Sequence, residues 1–200
     1  YSFQTDYKEI WQSEIQGIQE VAEHDPDCNI SIEYKPNEPR AFSLLPNLST
    51  TLLAISQIES DNIGVTLDFA HLLYADELPA YSASMVSSFS KLYGVHLNDG
   101  YSKRDDGLMV ASVHYQATVE LLYQLSKDGY DGVIYFDTFP NTTDLNPIKE
   151  CETNISTVKQ ILKIVKCLLA DNNLSESMKN QDPIRSQKIF NTALSKLYEK

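Results

Sequence analysis

Residues 63–71 read IGVTLDFAH, and the fold follows from how that stretch begins and ends. It begins as a short apolar run rich in β-branched residues, the pattern of a strand buried on both faces in a parallel sheet. It ends on a carboxylate, Asp68, with His71 three residues further on. A carboxylate closing a buried strand is costly unless it is paired or bound to a cation.

The same unit recurs on either side. Residues 28–34 (CNISIEY) form a strand ending in Glu33, with Lys35 two residues on. Residues 93–97 form a strand ending in His96, followed by an acidic loop with Asp99, Asp105 and Asp106. Residues 132–136 (GVIYF) form the last strand, and Asp137 comes next. Helical patterns lie between. Residues 7–23 place Ile10, Trp11, Ile15, Ile18, Val21 and Ala22 near a 3.6-residue period, and Asp25-Pro26-Asp27 stops that helix. Residues 44–58, 79–92 and 113–127 are also helical, the second opened by Pro79, which suits a first turn. Beyond Pro147 a helix runs to residue 169, and two more helical pieces cover residues 175–180 and 183–198. Strands alternating with helices predict an α/β fold of right-handed βαβ units on a parallel sheet. Four strands of this kind fit a small open sheet or half of an eight-stranded barrel, and periodicity leaves both open.

The composition narrows the partners. A chain of 200 residues with 42% apolar and 22% charged residues is ordinary for a globular domain. No apolar run approaches the roughly 18 residues of a membrane span, so no membrane partner is expected. The net charge of −12 argues against binding a phosphate backbone, hence against nucleic acid. Cys28, Cys151 and Cys167 are odd in number and unrelated in spacing, which gives neither a disulfide framework nor a zinc pattern. Reduced thiols and the lack of a visible secretion leader predict a cytoplasmic location, where the Asn-x-Ser/Thr sequons are chance.

The chemistry lies in the strand ends. Side chains there converge on one mouth in parallel α/β proteins, and active sites form at that mouth. Each residue has an ordinary reading by itself. Glu33 with Lys35 could be a solvated ion pair, Asp68 or Asp137 a helix cap, His96 a core histidine, and Asp105-Asp106 a surface turn. With one such residue at every strand end, a shared cation site is the better account. Carboxylates with a few imidazoles suit a hard or borderline divalent ion such as Mn²⁺, Mg²⁺ or Co²⁺. His24 and His114 read as structural, on helices away from the strand ends.

At these residues the chain resembles the xylose isomerase-like barrel family, which includes rhamnose isomerases and related sugar isomerases and epimerases. The stretches that carry the resemblance are IEYKPNEPR (32–40), GVTLDFAH (64–71), VHLNDGY with DDGLMVASVH (95–101 and 105–114) and YDGVIYFDTFP (130–140). They come in the family's order, and the similarity runs over residues 1–169. The resemblance implies the C-terminal half of a TIM-type (β/α) barrel over residues 1–170, with a helical extension over 171–200. It implies that Glu33, Asp68, His96 and Asp137 bind a structural metal. Asp68 would bridge to a second, catalytic metal completed by His71 and Asp105, and Lys35 would polarise the carbonyl oxygen of a sugar substrate. Gly107 stands where many relatives carry a further acid, so the second site is expected to be the weaker.

The implied activity is aldose–ketose isomerisation by a hydride shift between adjacent carbons. Two alternatives stand beside it. One is sugar epimerisation, with Glu33 and Asp137 as opposed acid and base around one metal. The other is a non-catalytic sugar- or metal-binding half barrel. Half a barrel leaves sheet edges to cover, so the expected partner is a missing N-terminal half or another copy of the chain.

Overall fold

The computed structural model describes residues 3–142 and 144–196. Local chemistry sets most element ends. The Asp6 side chain accepts from the Lys8 and Glu9 amides and starts α1 (Tyr7–His24). Strand β1 (Ile30–Glu33) follows, then a small antiparallel hairpin, β2 (Asn37–Glu38) with β3 (Ala41–Phe42). Asn47 accepts from the Thr50 amide, so α2 (Leu48–Ile55) begins four residues later than its apolar pattern suggests. Strand β4 (Ile63–Asp68) runs straight into a six-residue helix, α3 (Phe69–Tyr74), because the Asp68 side chain caps it. Next come α4 (Pro79–Phe89), β5 (Leu92–Leu97), α5 (Tyr115–Lys127) and β6 (Val133–Phe136). Extended Ser90 ends α4 three residues short of the expected length and frees Leu92 for β5. The long helix α6 (Pro147–Leu169) precedes α7 (Asn172–Lys179) and α8 (Pro183–Ser195). Helix α7 starts at Asn172 rather than Ser175 because Asp171 caps it.

The sheet is four-stranded in the order β1-β4-β5-β6, and every pairing in it is parallel. The α/β prediction therefore holds. One sheet face carries the core. Val65, Leu67, Val95 and Leu97 are fully buried there, in one cluster with Leu121 and Leu122 of α5 and Ile161 and Ile164 of α6. Each such side chain contributes about 1.5–3 kcal/mol through burial. The other face alternates with it. It presents Ser31 and Thr66, whose hydroxyls lie 2.6 Å apart, then Val133 and Tyr135, both more than half exposed. The sheet does not close, and β1 and β6 are its edges. Among the described residues no helix is long and apolar enough to cross a membrane.

Candidate metal centre

Register carries the predicted residues to one place. Glu33 pairs with Thr66, Asp68 with His96, and His96 with Tyr135, so all four strand ends stop at about the same level. Glu33, Asp68, His96 and Asp137 each offer one ligand-type atom, and those atoms all lie within 4.8 Å of one another. His96 is the hub: its Nδ1 is 3.1 Å from Glu33 Oε1, 3.7 Å from Asp68 Oδ2 and 3.8 Å from Asp137 Oδ2.

A second group adjoins the first. His71 Nδ1 lies 3.0 Å from the Tyr34 carbonyl. A carbonyl only accepts, so this nitrogen carries hydrogen; it also lies 3.5 Å from Glu33 Oε1, while Nε2 is turned to Asp105 and Asp68. Nε2 is 3.3 Å from Asp105 Oδ2 and 3.9 Å from Asp68 Oδ1. Lys35 Nζ reaches the same Asp105 oxygen at 3.4 Å and Glu38 at 3.0 Å. Lys35, His71 and Asp105 thus sit together beside the four-residue cluster.

The electrostatics follow from crowding acids in a half-buried mouth. Burial pushes Asp68 up to about 6 and also raises Asp137. Burial works the same way on Glu33, but the hydrogen bond and charge of His96, with His71, bring it below its ordinary value. The hydrogen bond to Glu33 raises His96 against the effect of burial. His71 is raised despite its burial, through Asp105, Asp68 and Glu33. Asp105 is lowered, burial notwithstanding, by His71 and Lys35.

These residues fit a divalent cation. Three carboxylates and an imidazole form a hard-to-borderline oxygen and nitrogen donor set. A neutral His71 would face Asp105 acceptor to acceptor, a clash that a proton or a cation relieves. The second Asp105 oxygen is buried with no hydrogen-bond partner among the described residues.

Other expectations change. Of the three acids after β5, only Asp105 reaches this group. Asp99 is fully buried and pins the loop: it accepts from the Gly100, Val113 and His114 amides and lies 2.8 Å from His114 Nδ1. His114 therefore stands at the cap of α5 against the strand end rather than away from it. Asp106 closes the same loop on the Tyr101 amide and Arg104. Gly107 has a φ of +56°, and a Cβ there would come within 2.3 Å of the Phe139 ring, so no acid fits at that position. Two contributors went unread. Asn98, fully buried, donates to both Asp68 oxygens, and Tyr135 sets its ring edge to face against His96, with centroids 5.6 Å apart. An amide beside Asp-Gly reads as turn chemistry, which hid Asn98.

The family model for the xylose isomerase-like TIM barrel matches residues 1–161. The chain belongs to this family. As a xylose isomerase-like chain it is 32% identical over 127 residues to xylose isomerase from Streptomyces lividans, covering 62% of the chain and 32% of that enzyme. A solved D-tagatose 3-epimerase-like protein superposes with a TM-score of 0.70 at 24% identity, covering 84% of the chain and 60% of that protein. The IolI protein, solved with a bound zinc atom, superposes with a TM-score of 0.62 at 16% identity, covering 81% and 59%. The chain spans about a third to three fifths of the lengths of these relatives. Its open four-stranded sheet is accordingly part of the family's barrel.

Proposed function

We propose that this chain supplies the metal-binding half of a sugar isomerase that interconverts an aldose and a ketose. The observation that carries the reading is the convergence of Glu33, Asp68, His96 and Asp137, with Lys35 and His71 gathered beside them. Glu33, Asp68, His96 and Asp137 would hold one divalent ion (Mn²⁺, Mg²⁺ or Co²⁺), and His71 and Asp105 would hold a second, weaker one. The ion would offset negative charge that develops on substrate oxygens.

The chain's own groups have separate tasks. Asp68, fixed at the buried end of β4, anchors the cluster. Lys35 is charged at neutral pH: its burial lowers the ammonium pKa, but Glu38 and Asp105 more than restore it. An ammonium able to turn from Asp105 to a substrate carbonyl stabilises charge that grows in the transition state. In this reading residues 1–170 form the barrel half and 171–200 a helical extension. The protein works in the cytoplasm on a small sugar.

A second reading has its own support. Glu33 is lowered and Asp137 raised, and pairs of carboxylates whose environments push them apart suit base and acid roles. That is the arrangement an epimerase needs. One experiment separates the two. The complete protein containing this chain, tested on a panel of aldoses in heavy water, keeps deuterium out of the reacting carbon if hydride moves directly. Lys35→Met then lowers kcat by about a hundredfold, more than it raises KM. Stoichiometric deuterium at that carbon with near-normal kcat in Lys35→Met selects the epimerase. No turnover of any sugar by the metal-loaded wild type overturns both.

A further inference from the structure

We infer that Asn98 is a positioning residue that sets the Asp68 carboxylate in the plane needed for cation binding. The inference rests on the proposed metal site and adds a residue to it.

Asp68 closes β4 at 2% exposure. One of its oxygens, Oδ1, caps α3 by accepting from the His71 amide at 2.9 Å. That bond alone satisfies the strand-to-helix junction and leaves the carboxylate free to pivot about it. Asn98 removes the freedom. It lies just past the end of β5, fully buried, and its Nδ2 stands 2.9 Å from Oδ2 and 3.2 Å from Oδ1. A donor straddling both oxygens holds the plane of the carboxylate. Oδ2 is the oxygen that faces the cluster, 3.7 Å from His96 Nδ1.

The amide is itself oriented. Asn98 Oδ1 accepts from the Ala70 amide at 2.8 Å. An amide N–H can only donate, so the oxygen must face Ala70 and the NH₂ group must face Asp68. The side chain cannot flip without breaking bonds at both ends. Its chemistry also suits the task. A neutral donor stabilises a desolvated carboxylate without neutralising it, whereas a lysine here would compete with the cation. An aspartate would place a second anion against Asp68. Partners one step behind a metal ligand typically carry about 10- to 100-fold in metal affinity.

The test is calorimetric titration of Mn²⁺ into the complete protein containing this chain, with thermal unfolding of the metal-free form measured in parallel. Asn98→Ala should weaken the tight site by about 10- to 100-fold while stoichiometry is unchanged and metal-free unfolding stays cooperative. Asn98→Asp should weaken it further. Asn98→Ser, which retains a donor, should fall between alanine and wild type. Wild-type affinity in a folded Asn98→Ala overturns the inference and leaves the metal site standing. A wild-type complete protein that takes up no Mn²⁺ overturns the metal site and this inference with it. Loss of cooperative metal-free unfolding in both the alanine and serine variants assigns Asn98 to the fold and also overturns the inference.

Discussion

Strands β4 and β6 both end in an aspartate of the same cluster, yet the two side chains live differently. Asp68 closes an inner strand with a neighbour on each side, its side chain is fully buried, and Asn98 and the His71 amide hold its oxygens. Asp137 follows an edge strand, its side chain is 39% exposed, and its Oδ2 lies 3.8 Å from His96 Nδ1. Both are raised by burial, but only Asp68 reaches about 6. Within this sheet the inner strand therefore supplies a desolvated ligand with fixed partners, while β6 supplies one that is partly solvated. A cation site built from both has a tightly held side and a more loosely held side.

The largest expected effect tests that asymmetry directly. Asp68→Ala should lower Mn²⁺ affinity beyond the roughly 100-fold of an outer partner, whereas Asp137→Ala should cost nearer tenfold because water can take its place. Titration calorimetry on the two variants decides it. Equal losses would mean that the edge ligand is as fixed as the inner one.

Acidity gives the next effect. Asp68 titrates higher folded than unfolded, so folding favours its protonated form and stability falls as pH rises from about 4 to 6. Two pKa units are worth about 3 kcal/mol. His71 and His96 are raised, so their contribution is present below their unfolded pKa and is lost as pH climbs through the folded one. Glu33 and Asp105 act oppositely, but their contribution is lost only as pH falls below about 4. Between pH 5 and 8 the metal-free chain should therefore lose stability, and Mn²⁺ should restore it most at the alkaline end. Asp68→Asn should flatten the part of that decline below about pH 6, leaving the histidine part above it, and Asp137→Asn should change it less. A metal-free Tm that rises over this range would contradict the placement of Asp68.

Much of this was legible because strands of period two end abruptly. The β-branched runs located all four strands to within two residues, and the acid or histidine at each end located Glu33, Asp68, His96 and Asp137. What was hidden depended on contacts distant in sequence. Asn98 becomes meaningful only when β5 lies beside β4, which no local pattern reports. The short β2–β3 hairpin lies in a Pro- and Asn-bearing stretch that reads as loop. Asp99 looked like its neighbours in an acidic loop until three amides and His114 claimed it.

Gly107 offers a smaller perturbation confined to the β6 side. Its carbonyl accepts from the Phe139 amide at 2.8 Å, two residues beyond Asp137. Gly107→Ala forces a side chain onto a positive φ, which costs about 1–2 kcal/mol, and drives Cβ into the Phe139 ring. The Tm should fall by several degrees. Mn²⁺ affinity should drop a few-fold through Asp137 while the Asn98–Asp68 geometry is untouched. An affinity loss as large as that of Asp68→Ala would show that the loop supports both sides of the site.

Tyr135 gives the smallest effect and asks whether the edge strand contributes more than its aspartate. The residue is 56% exposed on β6, and its ring meets His96 edge to face at 78°. Such pairs are worth about 0.5–1.5 kcal/mol beyond area burial, and the open side of this one places it at the low end. His96 is already held by Glu33 through Nδ1, so Tyr135 restricts only the residual swing of the imidazole. Tyr135→Ala should lower Mn²⁺ affinity by a few-fold and leave metal-free unfolding nearly unchanged. Tyr135→Phe keeps the ring and should bind as the wild type does. If phenylalanine weakened the site as much as alanine, the hydroxyl rather than the ring would be acting on the cluster. The edge strand would then supply a polar group of its own to the mouth, narrowing the contrast between β4 and β6.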